Sequence, residues 1–128
     1  MRPETQMWVD DADYDLGSAK AMLDSGRLFF VVFMCHLTIE KLLKALIVER
    51  DGVEPPRIHN LVALSARAAV ALPTVHAGIV NELNNMSVVT RYPDGRRALA
   101  GVLTHDRAQD LFRRTTEFSR WFRQAHNF

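Results

Sequence analysis

Residues 28–49 read LFFVVFMCHLTIEKLLKALIVE, a stretch in which charged residues are rare. When successive residues are placed about 100° apart on a helix, one broad arc of its surface is apolar. That arc consists of Val31, Val32, Cys35, Ile39, Leu42, Leu43 and Leu46. Phe33, Leu37 and Ile47 place further apolar side chains on the other side. A helix that is apolar nearly all round is buried, so this pattern predicts a central helix from about Leu28 to Glu49.

A second amphipathic helix is predicted before this stretch, from about Thr5 to Asp24. Its apolar stripe has helical spacing and comprises Trp8, Ala12, Leu16, Ala19 and Leu23. Four aspartates in its first half suit the positive end of the helix dipole, and Gly26 ends the pattern.

Two shorter helices are predicted after the central one. Pro55 and Pro56 place a loop there, because proline denies the helical conformation to its predecessor. A third helix begins near Asn60, a good N-cap, and its apolar residues are Leu61, Leu64 and Ala68. A fourth begins at Pro73 or Thr74 and ends at Asn84-Asn85, with Val75, Ile79 and Leu83 as its apolar residues.

Residues 86–103 are expected to form a long connection, with a turn at Arg91-Tyr92-Pro93-Asp94-Gly95. A last helix follows, capped by Thr104 and reaching about Ala125. Its apolar arc comprises Ala108, Leu111, Phe112, Thr115, Phe118 and Phe122. Alternation typical of strands is nearly missing. We therefore expect a single domain over residues 1–128, an all-α antiparallel up-and-down bundle of four to five helices.

The charges are balanced overall but unevenly distributed. The net charge is +1, whereas residues 1–26 have a balance of −4 and residues 91–128 a balance of +4. One interpretation is that the first and last helices lie side by side. The other is a basic edge that attracts phosphate.

The location suggested by the sequence is the cytoplasm. No apolar run approaches the ~18 residues of a membrane span, and the acidic N-terminus does not resemble a signal peptide. Cys35 is the single cysteine, which agrees with a reducing compartment. Because Phe33, Met34 and Leu37 surround it in the apolar pattern, we expect a packed, unreactive thiol.

A polar stripe interrupts the central helix. His36, Glu40 and Lys44 follow one another at four-residue intervals, and Lys41 lies beside them. Charge on a buried helix is costly unless it is paired. The stripe is therefore either an ion pair that fixes helix register or the floor of a polar ligand site.

Two further segments have similar double interpretations. Arg57-Ile58-His59-Asn60-Leu61 leads into a helix N-terminus, where a bound phosphate is favoured. The alternative is that the segment only caps the helix and carries a surface histidine. In Arg91-Tyr92-Pro93-Asp94, arginine offers a fork of donors and tyrosine a stacking face. Alternatively, this is a structural turn whose arginine pairs with an interior carboxylate such as Glu40.

The sequence lacks the motifs of several common nucleotide-binding and metal-binding sites. The sequence has no G-x-x-x-x-G-K-[ST] loop, no G-x-G-x-x-G after a strand and no H-E-x-x-H. One cysteine and five scattered histidines do not give the spacing of a zinc site. We expect neither a metal nor another cofactor.

Four motifs, in order, resemble the HEPN family (higher eukaryote and prokaryote nucleotide-binding domains). Trp8 and its stripe resemble the first helix of that family, and residues 35–46, CHLTIEKLLKAL, its second-helix pattern. Pro56 followed by His59-Asn60-Leu61 resembles the entrance to its third helix, and Arg91-Tyr92-Pro93 its Arg-Tyr-Pro turn.

This resemblance implies a helical bundle that is usually a homodimer. Such proteins are often encoded beside a minimal nucleotidyltransferase, in two-component or toxin–antitoxin-like modules. Many members are metal-independent ribonucleases in which an arginine and a histidine, with four to six residues between them, lie at a dimer cleft. Arg120 and His126 fit this spacing, but 13 arginines and five histidines produce such a match by chance.

The function expected is therefore binding of nucleotide or RNA beside a nucleotidyltransferase-type partner, without catalysis by the chain itself. Lys41, Lys44 and Arg91 would contact phosphate, His59 would hydrogen-bond, Tyr92 would stack a base and Glu40 would orient Arg91. The alternatives are a metal-independent ribonuclease toxin, and a pure protein-interaction module whose polar stripe sets helix register.

Overall fold

The structure, a computed structural model that describes residues 1–128, contains six helices and no strand. The helices are α1 (Pro3–Asp24), α2 (Leu28–Asp51), α3 (Leu61–Arg67), α4 (Thr74–Val89), α5 (Pro93–Ala100) and α6 (His105–His126). The all-α bundle expected from the sequence is confirmed, with six helices in place of four to five. None of the six has both the length and the apolar content that a transmembrane span requires.

Helix α2 is the centre of the bundle, as its all-round apolar pattern predicts. It packs against α1, α3, α4 and α6. Its fully buried side chains include Val31, Val32, Cys35, Ile39, Leu42 and Leu43. Because nearly every side of the middle of α2 is covered, the polar stripe on this helix lies inside the protein.

Helices α1 and α6 pack beside α2 mostly with the faces that the sequence predicts, but Trp8, Leu16 and Phe112 are only half-buried, and Val9 of α1 is fully buried. In α1, Ala12, Ala19 and Leu23 are buried, as are Ala108, Leu111, Thr115, Phe118 and Phe122 in α6. Thr104 caps α6 by accepting a hydrogen bond from the Arg107 N–H at 3.1 Å. Asp13 on α1 binds Arg123 on α6 at 2.8 Å, so the two end helices lie side by side and one pair of their opposite charges meets.

The predicted end of the fourth helix is wrong. Helix α4 continues through Asn84-Asn85 to Val89. The side chain of Asn84 accepts a hydrogen bond from the Leu61 N–H at 2.8 Å, and that of Asn60 accepts one from the Ala63 N–H at 2.9 Å. Asn84 therefore helps to cap α3 and does not terminate its own helix.

The long connection predicted over residues 86–103 is also wrong, because it contains the end of α4 and all of α5. Pro93 begins α5, a position in which its missing N–H costs nothing. A Cβ at Gly95 would overlap the Val89 carbonyl oxygen. Glycine thus allows α5 to start in contact with the end of α4, and the chain turns sharply at Arg91 and Tyr92.

Two apolar side chains lie outside the core to which their spacing assigned them. Phe33 is 45% exposed and Val75 is 72% exposed. Phe33 lines a shallow depression on α2 that is bordered by the end of α4, the turn at Arg91 and Arg96 of α5. Val75 stands in the first turn of α4, at the margin of the bundle.

Candidate functional site

The polar stripe of α2 is buried and internally paired. His36 is 2% exposed, Glu40 4% and Lys44 5%. The Nζ atom of Lys44 lies 3.0 Å from Oε2 of Glu40, and Nδ1 of His36 lies 3.6 Å from Oε1. The one negative charge on this face of the helix thus has a positive partner one turn away.

His59 joins the stripe from the loop before α3. Its Nδ1 atom lies 3.1 Å from both carboxylate oxygens of Glu40, while its side chain remains 58% exposed. We call His36, Glu40, Lys44 and His59 the polar cluster. The cluster has a buried floor on α2 and an accessible rim at His59.

His36 is neutral at pH 7 in this setting. Burial lowers its pKa from 6.5 to about 4, although the charge of Glu40 acts to raise it. The positive charges of Arg91 and His59 lower the pKa further. Arg91 therefore lies within electrostatic reach of His36, the member of the cluster that is buried beside Glu40.

The expected contact between Glu40 and Arg91 does not form. The side chains of Lys44, His59 and His36 surround the carboxylate of Glu40, so its oxygens are already occupied. Arg91 is exposed and forms no ion pair of its own. Tyr92, beside it, is 66% exposed. The turn thus presents a free guanidinium group and an open phenol ring to solvent.

The two lysines of α2 are placed differently from what a phosphate site requires. Lys41 binds Asp15 at 2.7 Å and lies 3.7 Å from Asp11, both on α1. Lys44 is buried against Glu40, with its Nζ 5.7 Å from the centroid of the Trp8 ring. Neither ammonium group is free at the rim near His59.

The N-terminus of α3 is partly occupied by side chains of the protein itself. Its Leu61 N–H is bound by Asn84 and its Ala63 N–H by Asn60. Arg57, in the approach to this helix, is 88% exposed in its side chain and pairs with Glu54. The segment contributes His59 to the site, and the two caps occupy two of the backbone donors in the first turn of α3.

Arg120 and His126 do not form a site within one chain. Six helical positions separate them, which is about 240° around the axis of α6. Arg120 is exposed, whereas the His126 ring packs 4.5 Å from the Phe122 ring, centroid to centroid. The spacing in the sequence therefore does not bring the two side chains together.

The sequence did not predict a role for Phe30, Phe33 or Arg96, which line a groove beside Arg91. The two phenylalanines belong to the apolar run of α2, which predicted burial, and Arg96 belongs to residues 86–103, which were expected to form a connection. The one signal for them is that residues 28–35 supply more apolar faces than one helix can bury.

Chemically, the region offers hydrogen bonds, guanidinium groups and aromatic faces. No three of the chain's His, Cys, Asp and Glu side chains are arranged to hold a metal ion.

Comparison with known proteins gives one match. A family model described as a HEPN domain matches residues 5–125, and so spans all six helices. Neither the comparison with curated proteins nor the comparison with solved structures gives a match.

Proposed function

Since the chain belongs to the HEPN domain family, we propose that it binds a nucleotide, free or within RNA, at the rim of the polar cluster. His59, Arg91 and Tyr92 are the contacting residues in this proposal, and Glu40 and Lys44 hold the floor. The observation that carries it is that buried Glu40 fixes the half-exposed ring of His59, while Arg91, which has no carboxylate partner, acts electrostatically on His36 in the same cluster.

The charge of the site favours an anion. Glu40 and Lys44 cancel each other, and His36 is neutral at pH 7 because burial lowers its pKa to about 4. The charge of Arg91 is then left without compensation at the surface. A guanidinium group binds phosphate oxygens through two parallel hydrogen bonds, so the rim suits the phosphate of a nucleotide.

His59 and Tyr92 supply the contacts that a nucleotide needs beyond phosphate. With its Nδ1 held by Glu40, the imidazole of His59 has a fixed orientation and its Nε2 is left for a ligand. Nε2 accepts a hydrogen bond from a ribose hydroxyl, or donates one to phosphate when the ring is protonated. The exposed ring of Tyr92 offers a face on which a base stacks.

We place the chain in the cytoplasm as a homodimer that works with a minimal nucleotidyltransferase-type protein in a two-component or toxin–antitoxin-like module. The support is the family membership and its usual context. Co-expression of the chain with such a neighbouring protein, followed by co-purification, tests the partnership directly.

Isothermal titration with ATP, GTP and short RNA tests the binding itself. We expect heat at millimolar or lower ligand, and a clear loss of affinity in Arg91→Ala. Arg120→Ala is the matched control, because Arg120 is also exposed and has no ion-pair partner but lies on α6. Absence of heat for every ligand at millimolar concentration would leave the pure interaction module as the better description.

A further inference from the structure

The arginines of this protein divide into two groups. Six form ion pairs, namely Arg57, Arg67, Arg107, Arg113, Arg114 and Arg123. The others form none, and Arg27, Arg91 and Arg96 of this second group lie close together. Arg96 donates its Nε–H to the Thr90 carbonyl at 2.8 Å, which anchors the side chain and leaves the rest of its guanidinium group free. Positive charge without a carboxylate partner is therefore gathered at this place on the surface.

These three arginines line two adjoining depressions between the start of α2 and the segment around α5. The depressions have volumes of about 330 and 280 Å³, and both are bordered by Phe29, Phe30 and Arg96. Phe30 is 47% exposed and Phe33 is 45% exposed. We call Arg27, Phe30, Phe33, Arg91 and Arg96 the α2–α5 groove. No carboxylate lines either depression.

We infer that the α2–α5 groove binds a single-stranded RNA segment that continues from the nucleotide held at the polar cluster. This inference rests on the proposed function, because Arg91 belongs to both. Arginines along the groove meet successive phosphates, and the two phenylalanine rings meet bases. A surface that combines guanidinium groups with open aromatic faces is the kind by which proteins bind single strands without reading their sequence.

A single strand fits this surface better than a duplex or a second copy of the chain. Bases reach aromatic side chains when they are unstacked, which a duplex prevents. A two-fold contact through the groove would place the arginines of two copies against each other with no carboxylate in the lining. The charge and the aromatic side chains of the groove thus favour a polyanion whose bases are unpaired, such as single-stranded RNA.

Fluorescence anisotropy with a short labelled oligouridine, and with a duplex RNA of equal length, tests the inference. We expect the single strand to bind more tightly. Phe30→Ala and Phe33→Ala each lower its affinity by roughly five- to a hundred-fold, the range for losing one stacked base. Phe33→Trp keeps the affinity and Phe33→Leu loses it, because leucine preserves apolar contact but cannot stack.

Salt dependence tests the phosphate contacts separately. Three contacts give a slope of about −2 in a plot of log affinity against log salt. Arg27→Ala and Arg96→Ala each make the slope shallower by about 0.7. Arg120→Ala on α6 and Val75→Ala on α4 are the matched controls, and neither changes affinity or slope.

The outcomes separate this inference from the proposed function. If oligouridine affinity survives Phe30→Ala and Phe33→Leu while mononucleotide binding is intact, the groove is not the path of the strand. If these variants instead change the oligomeric state in light scattering and leave affinity unchanged, the face is a contact between copies, which also overturns the inference. If neither oligouridine nor mononucleotide binds the unmodified chain, the proposed function fails as well. Circular dichroism melting of each variant confirms that it is folded before its affinity is compared.

Discussion

The Nδ1 atom of His59 lies 3.1 Å from both carboxylate oxygens of Glu40, although 19 positions separate the two residues in the chain. This contact ties the loop before α3 to the middle of the most buried helix. It also joins a side chain that is inaccessible to solvent to one that solvent and ligands can reach.

Glu40→Gln should destabilise the protein strongly. The substitution leaves the buried Lys44 ammonium without its carboxylate, and removal of one partner of a buried ion pair costs roughly 3–5 kcal/mol. Urea unfolding followed by circular dichroism measures the change. Glu54→Gln removes an exposed ion pair with Arg57 and should change little. Equal effects of the two substitutions would mean that the buried pair has no special importance.

His59→Ala should weaken nucleotide binding with little effect on stability. Its side chain is 58% exposed, and Glu40 keeps its contact with Lys44. Loss of one hydrogen bond predicts an affinity lower by about two- to twelve-fold in isothermal titration. His105→Ala, on another exposed histidine, is the control. An unchanged affinity in His59→Ala would exclude the imidazole as a ligand contact.

The free energy of unfolding should fall as the pH is lowered from about 6.5 toward 4. The pKa of His36 is lowered from its ordinary value of 6.5 to about 4 in the folded chain, mainly because burial disfavours its charged form. The unfolded state then binds the proton first, so acid favours unfolding, by up to about 3 kcal/mol for this one group. The charged groups near His36 are Glu40 on the same helix, His59 before α3 and Arg91 after α4.

Urea titrations at several pH values measure this slope, and His36→Gln supplies the comparison because glutamine does not titrate. The slope between pH 6.5 and 4 should be shallower in the variant. Parallel curves for the two proteins would show that other groups produce the acid sensitivity.

Cys35 should resist thiol reagents in the folded protein. It is fully buried, and burial raises the pKa of its thiol to about 12. The reactive thiolate is therefore scarce at neutral pH. Labelling with an aromatic disulfide should be slow in buffer and fast in concentrated urea. Rapid labelling of the native chain would contradict this packing.

Asn84→Ala should lower the free energy of unfolding by about 1 kcal/mol, the usual cost of a lost capping side chain. The reason is the hydrogen bond from the Leu61 N–H to Asn84, which supports the start of α3. Asn85→Ala is the matched control, since Asn85 is its exposed neighbour on the same helix. Thermal melts of both variants decide the matter, and identical melting temperatures would refute the capping role.

Strong helical periodicity made much of the fold predictable. The start of α2 at Leu28, the end of α1 at Asp24 and the cap of α6 at Thr104 follow from apolar spacing and capping chemistry. The extension of α4 was not predictable, because the Asn84 side chain satisfies a donor on a different helix. A sequence shows that an asparagine suits a helix end but does not show whose end it serves.

The site was predictable to a smaller degree. Helical spacing alone brings Glu40 next to Lys44, and the sequence singled out His59. The partners of Lys41 lie on α1, and Arg91 stays free because other groups had already occupied Glu40. Such choices among competing partners depend on distances between helices, which a single sequence does not specify.

The way in which one carboxylate serves Lys44, His36 and His59 has a consequence for protein engineering. Groups that share a partner are energetically coupled, so the effects of changing them do not add. A redesign that exchanges Glu40 for an apolar residue must replace Lys44 in the same step, and His59 then loses the anchor that orients its ring. Combinatorial libraries of this protein should therefore vary these positions jointly, because single-site scans will overstate the importance of each.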